Sequence, residues 1–400
     1  MLTITLKVGQ NVKAATKEPA ACKPINAVPV RELQELKEIK ASATTEQRAF
    51  LENDNDANNE GGIVAGEFKA QIVWQNVFVF VLLHGAMLYG IYVALVHAMW
   101  RTWFFAFLIG QLAGLGVTAG AHRLWSHRAY KARLPLRIVL MLFNCLACQN
   151  DLYEWTRDHR VHHKYSETDA DPHNVNRGFF FAHVGWLMCK KHPEVFRKGK
   201  AVDCSDLLQD PVIRFQRRWY VPLTTFMCFY MPTVVPYYLF GETYWNAFFV
   251  STMTRYVFSL NFTWLVNSAA HLWGNKPYDR HISPAENAFV SLVAIGEGFH
   301  NYHHTFPWDY RTSELGWKIN LTSMFIEAMA YIGQAYDLKT VPPAVVEKRK
   351  LRTGDGTKDC FDDAANRSRT KDSEPHRHHY HHHHHHPEEV PYEEMFGHQN

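Results

Sequence analysis

Residues 76–98 read NVFVFVLLHGAMLYGIYVALVHA, without a single Lys, Arg, Asp or Glu. As a helix such a run measures roughly 34 Å, enough to cross the hydrocarbon core of a bilayer. An element that is apolar on all sides must be surrounded by protein or by lipid, so this run limits the fold more tightly than anything else in the chain. A second uncharged block covers residues 102–121, after a short turn at 99–101, and stops at His122. A third, residues 219–240, carries Pro222, Pro232 and Pro236, which suggest kinks of the kind a membrane bundle tolerates. A fourth, residues 244–270, holds one charge, Arg255. The expectation is an all-α membrane protein whose four spans (about 76–98, 102–121, 219–240 and 244–270) form two hairpins around a polar region of about one hundred residues.

Charge orients the hairpins. The turn of the first holds only Arg101 and that of the second no basic residue, whereas residues 122–218 are dense in Lys and Arg. By the positive-inside rule that central region and both termini are cytosolic. Trp74, Trp100, Trp103, Trp219 and Trp245 fall near span ends, as interfacial anchors do. A net charge of +3 gives no electrostatic case for a nucleic-acid binder. Residues 1–70 are polar and expected to be a disordered cytosolic arm; residues 71–340 form the domain; residues 341–400 are a low-complexity tail ending in a histidine tract. The seven cysteines are irregularly spaced, and Cys145-x-x-Cys148 lies in an apolar run without a second such pair, so neither a disulfide framework nor a thiolate metal site is implied.

Ten of the 25 histidines lie in the tail; of the other fifteen, nine fall into a pattern. His122 and His127 stand in HRLWSH, His159, His162 and His163 in HRVHH, His300, His303 and His304 in HNYHH, and His271 closes NSAAH at the end of the fourth block. On a helix the H-x-x-H-H spacing puts three imidazoles on one face. Nine neutral imidazoles exceed what one ion with an open position can use, so the set fits two adjacent metals: iron, copper or zinc by ligand type. The topology derived from hydropathy and charge puts all nine on the cytosolic side. His84 and His97 lie singly within the first block and read as packed or interfacial; His173, His183, His192 and His281 have no motif around them.

These boxes, together with the flanking QNDLYEWTRDHRVHH and HNYHHTFPWDYR, resemble the membrane fatty acyl-CoA desaturases of the stearoyl-CoA desaturase type, the latter run resembling the insect branch. The resemblance covers roughly residues 70–340. It implies a mushroom-shaped protein of the endoplasmic reticulum membrane: four spanning helices under a cytosolic helical cap that holds a di-iron centre. It also implies insertion of a cis double bond, most often at delta-9, into a saturated acyl-CoA, with O2 consumed and two electrons delivered by cytochrome b5 and its NADH-dependent reductase. Delta-11 or another regiospecificity is the alternative. In such proteins the nine histidines bind the irons, and the residue matching Asn267 reaches one of them through water. Gln149, Trp155 and Trp264 match positions that line the acyl tunnel or contact substrate. Asn76, Asn150, Arg157, Asp158, Lys190 and Lys191 match contacts of the CoA head, whose phosphates need basic partners. The family's second span carries side chains that close the far end of the tunnel. Here that stretch reads GQLAGLG, with Gly110, Gly114 and Gly116, which fits either a deeper tunnel or close helix packing.

Other readings fit less well. A membrane di-iron lipid hydroxylase uses similar boxes at different spacing. A metal transporter would place its ligands mid-span. A soluble carboxylate-bridged di-iron protein would need paired Glu-x-x-His motifs.

Overall fold

The computed structural model describes residues 70–314 and 320–357, which belong to the larger of the chain's two compact units, 62–400. The arm at 1–69 and the histidine tract lie outside the described residues. Helix α1 (Trp74–Val96) has only 17% of its apolar stretch covered by protein, and Phe78, Val81, Leu88, Tyr92 and Leu95 are exposed. An uncharged helix this bare is a bilayer element, not a core helix. Helix α2 (Trp100–Leu115) continues without a break into a π-helical segment, Gly116–Ser126. Among the described residues these two, Trp74–Val96 and Trp100–Ser126, are the helices long and apolar enough to cross a membrane.

The third and fourth apolar blocks are helical too, but neither is one regular α-helix. The third, α5 below, begins as Tyr220–Thr224, passes through a π-helical segment, Thr225–Tyr230, and continues as Met231–Phe240. The fourth, α6, is Tyr244–Ala247, then π-helical Phe248–Thr254, then Arg255–Leu272. The proline reading is physical: Pro232 and Pro236 cannot donate to the carbonyls four residues back, those of Cys228 and Pro232. The fourth block supplies the missing donors. Arg255 Nη2 donates to Cys228 O at 2.9 Å and Ser251 Oγ to Pro232 O at 2.6 Å. The lone charge of that block is therefore buried as a carbonyl clamp, its Nη1 also reaching Leu146 O at 2.8 Å.

Close backbone approach fixes the crossings. A Cβ on Gly116 would fall 2.2 Å from Asn144 N, in α3 (Leu134–Ala147), and one on Gly90 would fall 2.4 Å from Phe249 O. Helix α4 (Leu152–Tyr165) starts where Asp151 accepts from Glu154 N at 2.9 Å. After α4 come short helices, and α5 and α6 follow a further one, Pro211–Arg218. After α6 come the short α7 (His300–Thr305), then α8 (Leu321–Tyr331) and α9 (Pro343–Thr353). Among the described residues the helical architecture is joined by a two-residue antiparallel ladder, Lys131 opposite Tyr336 and Ala132 opposite Ala335, and by isolated bridges such as Ile72 with Cys189 and Glu286 with Asn275 and Phe299.

Arg123, 1% exposed, ties the end of the second apolar helix to these later segments through Glu297, Tyr310 O and Ser323. Packed structure also runs past residue 340, the boundary expected from composition. In α9 Val346 is buried, Arg349 pairs with Asp279, and Lys350 meets Glu314 at 2.5 Å. Two of the charges that made this stretch look like solvated tail, Arg349 and Lys350, are ion-pair partners of the folded body.

Candidate metal centre

The HRLWSH spacing is five residues, which an ordinary α-helix would not keep on one face. The π-helical segment resolves this: His127 N donates to His122 O at 3.1 Å, an i→i+5 bond, and the two rings stand 4.9 Å apart. Helix α4 presents His159, His162 and His163, α7 presents His300, His303 and His304, and α6 brings His271 to its last turn. The nine sort into two groups. The nitrogens of His122, His127, His159, His163 and His303 lie within 4.8 Å of one another, and so do those of His162, His271, His300 and His304. The groups adjoin, with the His163 and His304 rings stacked at 4.1 Å.

The donor chemistry fits metal ions. Nε2 atoms face one another at 2.9 Å (His122 and His303, His127 and His159, His271 and His300) and at 3.0 Å (His163 and His303). Ligands about 2.1 Å from an ion and at right angles stand about 3.0 Å apart. Burial, reinforced by neighbouring imidazoles, holds His127, His159, His163, His300, His303 and His304 well below the usual 6.5, so these rings are neutral and able to ligate. Three carboxylates set the tautomers. Glu297 lies 2.8 Å from His122 Nδ1, Asp171 3.0 Å from His162 Nδ1, and Glu167 2.7 Å from His271 Nδ1. Each Nδ1–H donates outward, leaving an Nε2 lone pair pointing in. Burial works against the charge on Glu297, but Arg123 and His122 overcome it and hold the carboxyl at about 2. None of these three acids was read from the sequence, although Glu297 lies three residues before His300, and Glu167 and Asp171 follow closely on HRVHH. His173, without a motif of its own, is buried 3.4 Å from Asp171.

A cavity of about 430 Å³ leads away from the imidazoles. His122, His159, His162 and His300 form its head; Trp155, Gln149, Thr263 and Asn267 come next; Gly110, Gly114, Phe107 and Ile91 line the far part. Gln149 Nε2 donates to Thr263 Oγ1 at 2.9 Å, and Trp155 stacks on His159 at 5.0 Å. Ionisable and amide side chains crowd the head; Gln111, Thr254, Arg255 and Ser259 touch the remainder, whose wall is otherwise mostly apolar, the profile of a site for a long hydrocarbon with its reacting segment near the imidazoles.

Trp264 is not in this wall. Thr263, Val266 and Asn267 take the cavity face of α6, and Trp264, one residue on, points instead toward α1 and packs on Phe80 and His84. Nor do the polar candidates line the cavity. Lys191 pairs with Asp158, which takes Arg157 at 2.8 Å, while Asn76 donates to Leu187 O at 2.8 Å. Lys190 is exposed and anchored by its backbone to Gln71 O, and Asn150 stands at φ +73° just before α4. These six lie apart from the cavity, at the surface or in ion pairs. The glycines divide between the two readings given above: Gly116 is a packing residue, while Gly110 and Gly114 line the cavity.

Fold and site together define a helical membrane protein with a buried, carboxylate-braced, histidine-rich metal-binding centre at the head of an apolar cavity. The chain belongs to the fatty acid desaturase family, whose profile matches residues 98–316. It is 58% identical over 291 residues to an acyl-CoA Delta-9 desaturase of Acheta domesticus, covering 72% of this chain and 81% of that one. It is 56% identical over 288 residues to the stearoyl-CoA desaturase of Homo sapiens, 72% and 80% of the two chains, and 54% identical over 290 residues to an acyl-CoA Delta(11) desaturase of Trichoplusia ni, 72% and 83%.

Proposed function

We propose that this chain is an O2-dependent acyl-CoA desaturase of unsaturated fatty acid synthesis. It places a cis double bond, at delta-9 in the first instance and at delta-11 as the alternative, into a saturated fatty acyl-CoA. The observation that carries the reading is the junction of nine inward-facing imidazoles with an apolar cavity. His122, His127, His159, His163 and His303 would hold one iron, and His162, His271, His300 and His304 the other, with Asn267 beside the second. Bound iron supplies the oxidising power against an unactivated methylene that no side chain has. The protein's own residues do the rest. Trp155 and the Gln149–Thr263 bond shape the passage below the imidazoles. The apolar wall excludes water, and Glu297, Asp171 and Glu167 keep the rings aimed.

The CoA head belongs on the basic residues outside the cavity: Lys190 is the most accessible, while Arg157 and Lys191 share Asp158. Trp264 supports the wall from behind. The chain would span the endoplasmic reticulum membrane four times, with both termini cytosolic. That topology is supported by lipid-type exposure on the third and fourth helices, at Val221, Phe226, Tyr238, Leu239, Trp245 and Phe258. Electrons would come from cytochrome b5 and its NADH-dependent reductase.

Expression in desaturase-deficient yeast tests the proposal. The wild-type chain restores growth without added unsaturated fatty acid, and mapping of the double bond in extracted lipids gives its position. A His163→Ala variant does not complement. Accumulation of a hydroxylated chain, or growth with His163→Ala, would refute it.

A further inference from the structure

Helix Pro211–Arg218 lies immediately before α5 and is held by its inner face. Val212 and Ile213 are buried, and Gln216, fully buried, bonds Leu152 N at 2.8 Å and Asn144 at 2.9 Å. Its outer face carries Arg214, Arg217 and Arg218, all exposed, and none of the three makes an ion pair with a carboxylate among the described residues. Most other arginines nearby are paired: Arg137 with Asp210, Arg128 and Arg160 with Asp206, Arg157 with Asp158. The three unpaired ones border a second cavity of about 250 Å³ whose floor is Leu207, Leu208 and Ile213. Arg217 is fixed across the Tyr153 ring at 4.3 Å. Phe215 and Trp219, each about half exposed, flank the site, and Val221, 73% exposed, begins α5 just beyond it.

Three exposed guanidiniums, one of them held across Tyr153, over an apolar floor and beside aromatic residues of interfacial type match the chemistry of one ligand class. We propose that this cavity binds the headgroup of an anionic glycerophospholipid. Its phosphate lies among Arg214, Arg217 and Arg218, and its glycerol and first chain carbons rest on Leu207 and Leu208. An exposed Leu208 and the apolar start of α5 favour a lipid over an acidic protein face. This site goes beyond the desaturase reading and needs only that α5 enters the bilayer.

The test uses full-length protein in mild detergent with mixed phosphatidylcholine and phosphatidylinositol, with bound lipid counted by native mass spectrometry. Wild type retains phosphatidylinositol. The R214Q/R218Q double variant loses affinity for it roughly twenty-five-fold, at about fivefold per arginine, and R214K/R218K recovers most of it. Desaturation of acyl-CoA and its KM stay unchanged in both variants, which separates this site from the catalytic reading. Several results would overturn the assignment. Equal lipid retention in R214Q/R218Q is one. A raised KM for acyl-CoA would give the arginines to the substrate instead. Displacement of the lipid by inorganic phosphate alone would show a phosphate site without lipid selectivity, and weakened binding of the electron-donor protein with lipid retention intact would show a protein-docking face.

Discussion

Gly110 offers the sharpest test of how the cavity sets chain length. The residue lines the apolar part of the cavity, away from the imidazoles, and a Cβ built on it meets Arg255 Cγ at 3.6 Å, an ordinary contact. Gly110→Ala should therefore leave fold and activity intact. Gly110→Tyr places a phenol ring across space that a long acyl chain would fill. Each methylene denied burial costs about 0.8 kcal/mol, close to fourfold in binding. A substrate two carbons too long for the shortened cavity should thus lose about fifteenfold in kcat/KM, and one four carbons too long about two hundredfold. Chains ending before residue 110 should be unaffected. The assay is competition among saturated acyl-CoAs of graded length in microsomes, with products resolved by chromatography, and with thermal stability of the Ala and Tyr variants compared as a folding control. A length profile for Gly110→Tyr that superimposes on wild type, in a variant as stable as Gly110→Ala, would show that the acyl chain never reaches this part of the cavity.

Further outcomes follow from the same geometry. Glu297→Gln leaves one acceptor oxygen to serve both His122 Nδ1 and Arg123 and leaves Arg123 buried without its carboxylate; metal affinity should fall about 10–100-fold, and stability by about 3–5 kcal/mol, read by metal analysis after gel filtration and by melting. Stripping metal with a chelator should leave the inward Nε2 lone pairs opposed at about 3 Å and lower the melting temperature, with recovery on adding either iron(II) or zinc. Gly116→Leu forces a side chain into the α3 backbone and should prevent accumulation of folded protein, measured as monodisperse yield. Asp206 is pushed up by burial but held down to about 2 by bonds from Arg160 and Arg128, against an ordinary 3.8. A depressed carboxylate contributes its stability above the ordinary value and loses it as pH falls toward 2, so Asp206→Asn should lower stability at neutral pH and flatten the acid limb between about pH 4 and 2.

What could be read from the chain alone depended on the range of the forces involved. The apolar blocks and the H-x-x-H-H boxes are local patterns, and a local pattern survives folding: α4 and α7 present their imidazoles as the spacing requires. HRLWSH was legible as composition but not as geometry: its five-residue spacing comes together on one face only through the π-helical segment, which packs on α3 at Gly116. The carboxylates were invisible for a different reason. Glu297 and Glu167 look like any surface acid until His122 and His271 arrive beside them from other parts of the chain, and Asp171 does so until the turn after α4 folds it back onto His162. Trp264 shows a different limit: matching a position in a motif says which helix a residue is on, whereas one residue of rotation, about 100°, decides whether it faces the cavity or the helix behind. Arg255 unites both lessons. Read as a sequence it is a lone charge marring a span; in three dimensions it is the donor that the prolines of the neighbouring helix require. An arginine in one apolar block and prolines in another are therefore one feature, not two. Arg255→Leu, which restores textual hydrophobicity to the span, should destabilise the protein instead of improving its insertion, and the double change of Arg255→Leu with Pro232→Ala should recover part of the loss, because the Cys228 carbonyl then regains a partner within its own helix.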